Sequence, residues 1–163
     1  MENNNNSEQL TTAGELLKTC FINSLKLFSN ILKKIIKNTN QNEIKKLQKF
    51  LIILDILKNI ESIINSLTTL DKNLIEIYLI IRKRKINQKN IEIIILKSLI
   101  IIPSIQIKLT VFLNTLIDII KEDISSFLYS DLIIIKKILK ALNKSYKKLI
   151  DTNFKEIDKI RKH

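Results

Sequence analysis

Residues 91–120 read IEIIILKSLIIIPSIQIKLTVFLNTLIDII, the densest apolar run in the chain. Two kinds of structure own such a segment: a bilayer span and a core helix. A span needs roughly 18–20 nearly uncharged residues. Here Glu92, Lys97, Lys108 and Asp118 interrupt the run, and its longest charge-free gap, 98–107, holds 10 residues. On a helical wheel, Lys97, Ser104, Lys108, Thr115, Asp118 and Glu122 project within about 80° of one another. A narrow polar stripe on an otherwise apolar helix describes a core helix that touches water along one edge. The run is therefore read as the central helix of a fold, most buried over about 103–122. Ile105, Leu109, Phe112, Leu113 and Leu116 should face the core. Gln106 projects opposite Lys97, so it should be buried and in need of a hydrogen-bond partner. Pro103 has no amide donor and should either begin a helix or kink one.

The flanking sequence repeats the helical pattern. Thr12-Ala13-Gly14-Glu15 is a capping box. After it Leu17, Phe21, Leu25, Phe28, Leu32 and Ile35 fall on one face, and Asn23, Lys26, Asn30, Lys33 and Lys37 on the other. Asn40 to Glu43 repeats the start signal. A second helix follows on Ile44, Leu47, Leu51, Leu54, Leu57, Ile60, Ile64 and Leu67. Thr68 to Asp71 reads as a turn before a third helix that ends near residue 86, and Asn90 as the cap of a fourth. Leu132, Ile135, Leu139, Leu142, Tyr146 and Leu149 form a short 3-4 seam. It slips at Asn153 and is expected to resume on Phe154, Ile157 and Ile160, with a break at Asp151 to Asn153.

The fold class is therefore all-α: a single-domain antiparallel bundle of five to seven helices around the central one. The bundle should cover 12–163, after a disordered polar tail at 1–11 that includes Asn3 to Asn6. Composition excludes the competitors. One Gly and one Pro in 163 residues cannot supply the tight turns of a sandwich or barrel. Neither can they supply the glycine-rich phosphate loops of nucleotide-binding folds. The abundance of Ile, Lys and Asn is what an AT-rich genome writes, so β-propensity and total lysine are discounted.

Catalysis finds little support. His163 is the only histidine and the last residue, so no Ser–His or Cys–His pair is expected. No metal site or cofactor is implied, and the chain is read as a non-enzyme. Cys20 is the single cysteine. It is read as a buried structural thiol beside Phe21, and it fits a reducing compartment. The first residues lack a secretory pattern, so an intracellular location is expected, with a nuclear one more weakly suggested.

The formal net charge of +12 favours anionic partners. It is spread unevenly, with net values of +2, +5, 0 and +5 over residues 1–40, 41–90, 91–122 and 123–163. Two groups of residues are candidates for contact with an anionic partner. Arg82, Lys83, Arg84 and Lys85 form a four-cation run whose simplest reading is a solvated helix end, favoured by the helix dipole. Opposite the 132–149 seam, Lys136, Lys140, Lys144, Lys147, Lys148, Lys155 and Lys159 gather on one broad face. Asp151 and Asp158 are spaced to pair with Lys147 and Lys155. The function expected is that of a non-enzymatic helical interaction or assembly protein that binds a protein partner. The alternatives are a basic nucleic-acid-binding protein and a membrane-associated one docking on acidic lipid.

Overall fold

The computed structural model describes residues 13–84 and 88–162. Among them the regular elements are α1 (Ala13–Asn38), α2 (Ile44–Lys83), α3 (Lys89–Ile120), a one-turn 3-10 segment at Lys121–Asp123, and α4 (Ser126–Lys162). The all-α class holds, but among the described residues the α-helices number four, not five to seven. The two supposed breaks are absorbed into α2 and α4. Thr68 and Thr69 donate their hydroxyls one turn back to the carbonyls of Ile64 (2.8 Å) and Asn65 (3.1 Å). Thr152 does the same to Lys148 at 2.9 Å. Such back-bonding lets a turn-forming residue stay in the helical ladder. With no Gly or Pro nearby, nothing forces the ladder to end. The tail at 1–11, the capping residue Thr12, Lys85 and His163 lie outside the described residues.

The starts of the helices also differ from expectation. Asn40 does not cap α2; its Oδ1 accepts the amide of Asn42 at 3.1 Å, which makes the turn before the helix. The residue flanking α3 is Gln88 rather than Asn90, and it makes no side-chain cap bond. Pro103 lies inside α3, not at a helix start.

The packing order is a ring. α1 packs against α2 and α4, and α3 packs against the same two, with α3–α4 the most extensive interface. Short connections make sequential helices antiparallel neighbours, which leaves α1 and α3 on one diagonal. Helix α3 is therefore a corner of the bundle and not its centre. This corrects the reading of 103–122 as a central helix. Leu113, Leu116 and the predicted Gln106 are indeed buried, and Ile105 and Leu109 are half-buried. Phe112, expected in the core, is 43% exposed.

Helix length divides the fold into two tiers. At about 1.5 Å per residue α2 runs for ~60 Å and α1 for ~39 Å, so α1 covers only part of its neighbours. Where all four helices meet, Phe21, Phe28, Phe50, Ile64, Ile117 and Tyr146 are among the side chains sealed from water. Beyond the start of α1 a second cluster joins three helices through Ile81, Ile95, Leu96, Leu99, Ile157 and Ile160. The α1 face is as expected, from Phe21 to Ile35. In α2 the expected Leu57, Ile60 and Ile64 are buried, but near the helix start Phe50 and Ile53 turn inward and the expected Ile44 and Leu51 are exposed. In α4 the seam resumes on Ile157 and Ile160, and Phe154 is exposed.

Candidate functional site

The groove between α3 and α4 holds most of one predicted cluster. Its volume is about 670 Å³, and it is lined by Asn114 of α3 and, on α4, by Tyr129, Ile133, Lys136, Lys137, Lys140, Asn143, Lys144 and Lys147. The seam of α4 explains the arrangement. Leu132, Ile135, Leu139, Leu142 and Tyr146 are buried, so residues displaced around the same helix must line its flank. The lysines form that flank, and Ile133 and Tyr129 give it an apolar portion.

The charge in the groove is mostly uncompensated. Lys136 is paired with Asp118 at 2.6 Å. Among the described residues Lys137, Lys140, Lys144 and Lys147 form no ion pair, and the pairs expected from Asp151 to Lys147 and from Asp158 to Lys155 are not made. Lys121 lies 5.5 Å from the centre of the Tyr129 ring and adds a further cation at one end. Lys148 and Lys155 are exposed on α4 but do not line the groove.

Polar groups form part of the floor. Asn143 donates its Nδ2 to the Thr110 hydroxyl at 3.2 Å, and that hydroxyl donates to the Ile107 carbonyl at 2.7 Å. One turn along α3, the Asn114 Oδ1 is sealed from water without a hydrogen-bond partner. The sequence reading missed Asn114, Asn143, Tyr129, Ile133 and Lys137 as site residues. Two signals were available: Lys137 beside Lys136, and the lone Asn114 within an apolar run.

The other predicted cluster separates. Arg82 is exposed at the helix end but also makes contacts there. Its Nε lies 3.5 Å from Glu92 Oε2, its NH1 lies 3.1 Å from Glu156 Oε1, and its guanidinium sits 5.4 Å from the centre of the Tyr78 ring. Lys159 joins Glu156 at 3.2 Å. Arg82 thereby ties the end of α2 to the start of α3 and the end of α4. Lys83 and Arg84 are exposed and form no ion pair among the described residues. Nothing brings these cations to the α3–α4 groove.

A smaller cavity of about 140 Å³ lies at the junction of the tiers, lined in part by Gly14, Thr68, Asp71, Pro103, Gln106 and Asn153. Burial pushes the Asp71 carboxyl up from its ordinary range. The buried Gln106 makes no hydrogen bond with the described residues, so the partner expected for it is not among them. Tyr146, wholly buried, has an unpartnered hydroxyl, and its phenol is pushed well above the usual range by burial first and by the nearby Cys20 second. Cys20 is itself exposed, which corrects its reading as a buried thiol. Among the described residues no three His, Cys, Asp or Glu side chains gather to hold a metal. Helix α3 is long and apolar enough to cross a membrane by length and composition alone.

No protein-family model matches the chain, and comparisons with curated proteins and with solved structures find no match either.

Proposed function

We propose that the chain is a non-enzymatic interaction protein whose α3–α4 groove receives an acidic amphipathic helix of a partner protein. The observation that carries this reading is the combination of about 670 Å³ of open groove, an apolar portion at Tyr129 and Ile133, and four lysines without acidic neighbours in ion-pair reach. A helix laid in a groove is read through anchors at i, i+3, i+4 and i+7. Apolar anchors would rest on Ile133 and Tyr129, while carboxylates on the flanks would meet Lys137, Lys140, Lys144 and Lys147. Charge supplies association rate and selectivity here, and the apolar contact supplies residence.

Nucleic acid is the less favoured occupant. Single strands are held by aromatic faces on which bases stack. In this groove the one aromatic is Tyr129, half-buried, with Lys121 over its ring.

The test is fluorescence anisotropy with a labelled synthetic helix of about 20 residues, acidic on one face and leucine-rich on the other. A scrambled peptide of the same composition, a single-stranded oligonucleotide and acidic vesicles are run beside it. The expected result is saturable binding of the ordered helix, weaker with rising salt. It should be reduced at least ~10-fold when Lys140, Lys144 and Lys147 are changed to Gln, or roughly 1.4 kcal/mol. Equal binding of the scrambled peptide, or preference for the oligonucleotide or the vesicles, refutes the proposal.

A further inference from the structure

A second surface lies around the corner from the groove, on the outward edge of α3. Ile94, Ile101, Phe112 and Ile119 are 62%, 57%, 43% and 47% exposed. On a helical wheel they fall within about 20° of one another, so they form one row. The row spans 25 residues, or about 37 Å of helix. Its spacing is 7, 11 and 7 residues, which reads the same from either end.

We propose that this row is the interface with a second copy of this chain, α3 packing antiparallel on the α3 of the copy about a two-fold axis near its midpoint. Two-fold interfaces must be self-complementary, with residue i on j and j on i. The palindromic spacing provides this: Ile94 meets Ile119 of the copy, and Ile101 meets Phe112, at both ends at once. No membrane and no unrelated helix requires a spacing that survives reversal.

Charge and area agree. Residues 91–122 carry no net charge, whereas the flanking blocks carry +5 each, so α3 is where two copies of a strongly basic chain approach at least cost. A strip ~37 Å long and ~15–20 Å wide covers roughly 600–700 Å² per copy, close to the ~800 Å² per partner of a stable interface. The antiparallel α2 widens it, since Ile52 of α2 lines a shallow groove with Ile119, and Ile63 and Leu70 continue the exposed apolar row along α2. Lys108 stands beside the midpoint, exposed, where its stem covers apolar surface and its head reaches water.

Sedimentation of the full chain over a concentration series should show a monomer–dimer equilibrium that tightens as salt screens the repulsion between copies. The groove proposed above behaves in the opposite sense, so failure of one does not imply failure of the other. Changing Ile101 and Phe112 to Lys should give a monomer with unchanged helix content by circular dichroism. A second variant carries Ile94→Cys and Ile119→Cys with Cys20→Ser. It should oxidise to a covalent dimer, because within one chain those positions are about 37 Å apart. Ile94→Cys alone with Cys20→Ser should stay unlinked. A chain that remains monomeric at hundreds of micromolar overturns the proposal. So does a dimer indifferent to the lysine substitutions, or one linked equally well by Ile94→Cys alone. Binding of acidic vesicles by a monomer, abolished by the same lysine substitutions, assigns the row to lipid and also overturns it.

Discussion

Pro103 removes the amide that would close the turn on the Leu99 carbonyl, four residues before it in α3. That carbonyl is not left orphaned. Asn153 of α4 donates its Nδ2 to it at 3.2 Å, across the most extensive interface of the fold. Asn153→Ala should leave a carbonyl unsatisfied beside the buried Leu99 side chain, at a cost of ~1–3 kcal/mol. For a chain of this size each kcal/mol moves Tm by roughly 2–4 °C, so the midpoint should fall by about 2–12 °C. The decisive experiment is a double-mutant cycle. Pro103→Ala returns an N–H to the helix, and in that background Asn153→Ala should cost only its packing, under ~1 kcal/mol. The coupling between the two positions is then ~1–2 kcal/mol, read from urea unfolding of four proteins followed by circular dichroism. The same cost for Asn153→Ala with Pro103 and with Ala at that position would refute the reasoning. Asn153 would then be a packing residue with an incidental hydrogen bond.

Three further outcomes are expected. Tyr146→Phe removes a buried hydroxyl that has no partner, so it should leave stability unchanged or raise it by ~1 kcal/mol in the same assay; a loss above that would mean that the hydroxyl is satisfied. Asp71 has a folded-state pKa raised by burial. The folded chain therefore binds its proton more tightly than the unfolded chain, and its contribution to stability falls as pH rises from the ordinary carboxyl range through the raised value. Asp71→Asn should accordingly be more stable than wild type at pH 7, with the gain shrinking toward pH 4, and a gain that does not vary with pH would contradict this. Arg82→Gln should cost ~1 kcal/mol through its two carboxylate partners, whereas Lys83→Gln and Arg84→Gln should each cost under ~0.5 kcal/mol; equal costs would return Arg82 to the role of a solvated helix end.

The helical class was legible in the sequence because it rests on what is scarce. A chain with one Gly and one Pro has few ways to turn, and the periodic faces of α1 and α4 then speak clearly. Helix α2 was harder to read. Isoleucine and leucine occur all around it. The expected face holds at Leu57, Ile60 and Ile64, but near the helix start a face through Ile44 and Leu51 matched the period as well as the true one through Phe50 and Ile53. Only the neighbours decide between such faces. The helix count failed for a related reason. Hydroxyl clusters at Thr68 and Thr152 resemble turns in sequence, yet a threonine that bonds its own preceding turn leaves the helix intact.

Both the candidate groove and the error at Asn153 show what one-dimensional spacing can and cannot carry. The lysine flank of α4 followed from the period of a single helix, and four of its predicted members, Lys136, Lys140, Lys144 and Lys147, do line one groove. What the period could not supply was the opposite wall, because Asn114 is contributed by another helix. The same limit applies to the slip in the seam. Read within α4, a polar residue at 153 looks like a defect, and Phe154 looks like its replacement. Across the interface the defect lies in α3, at Pro103, and Asn153 is the side chain that completes the broken ladder. Phe154 is then left facing water, 51% exposed, because the seam position was already occupied by a donor that the partner helix required. Two anomalies separated by 50 residues, each a departure from its own pattern, are one hydrogen bond.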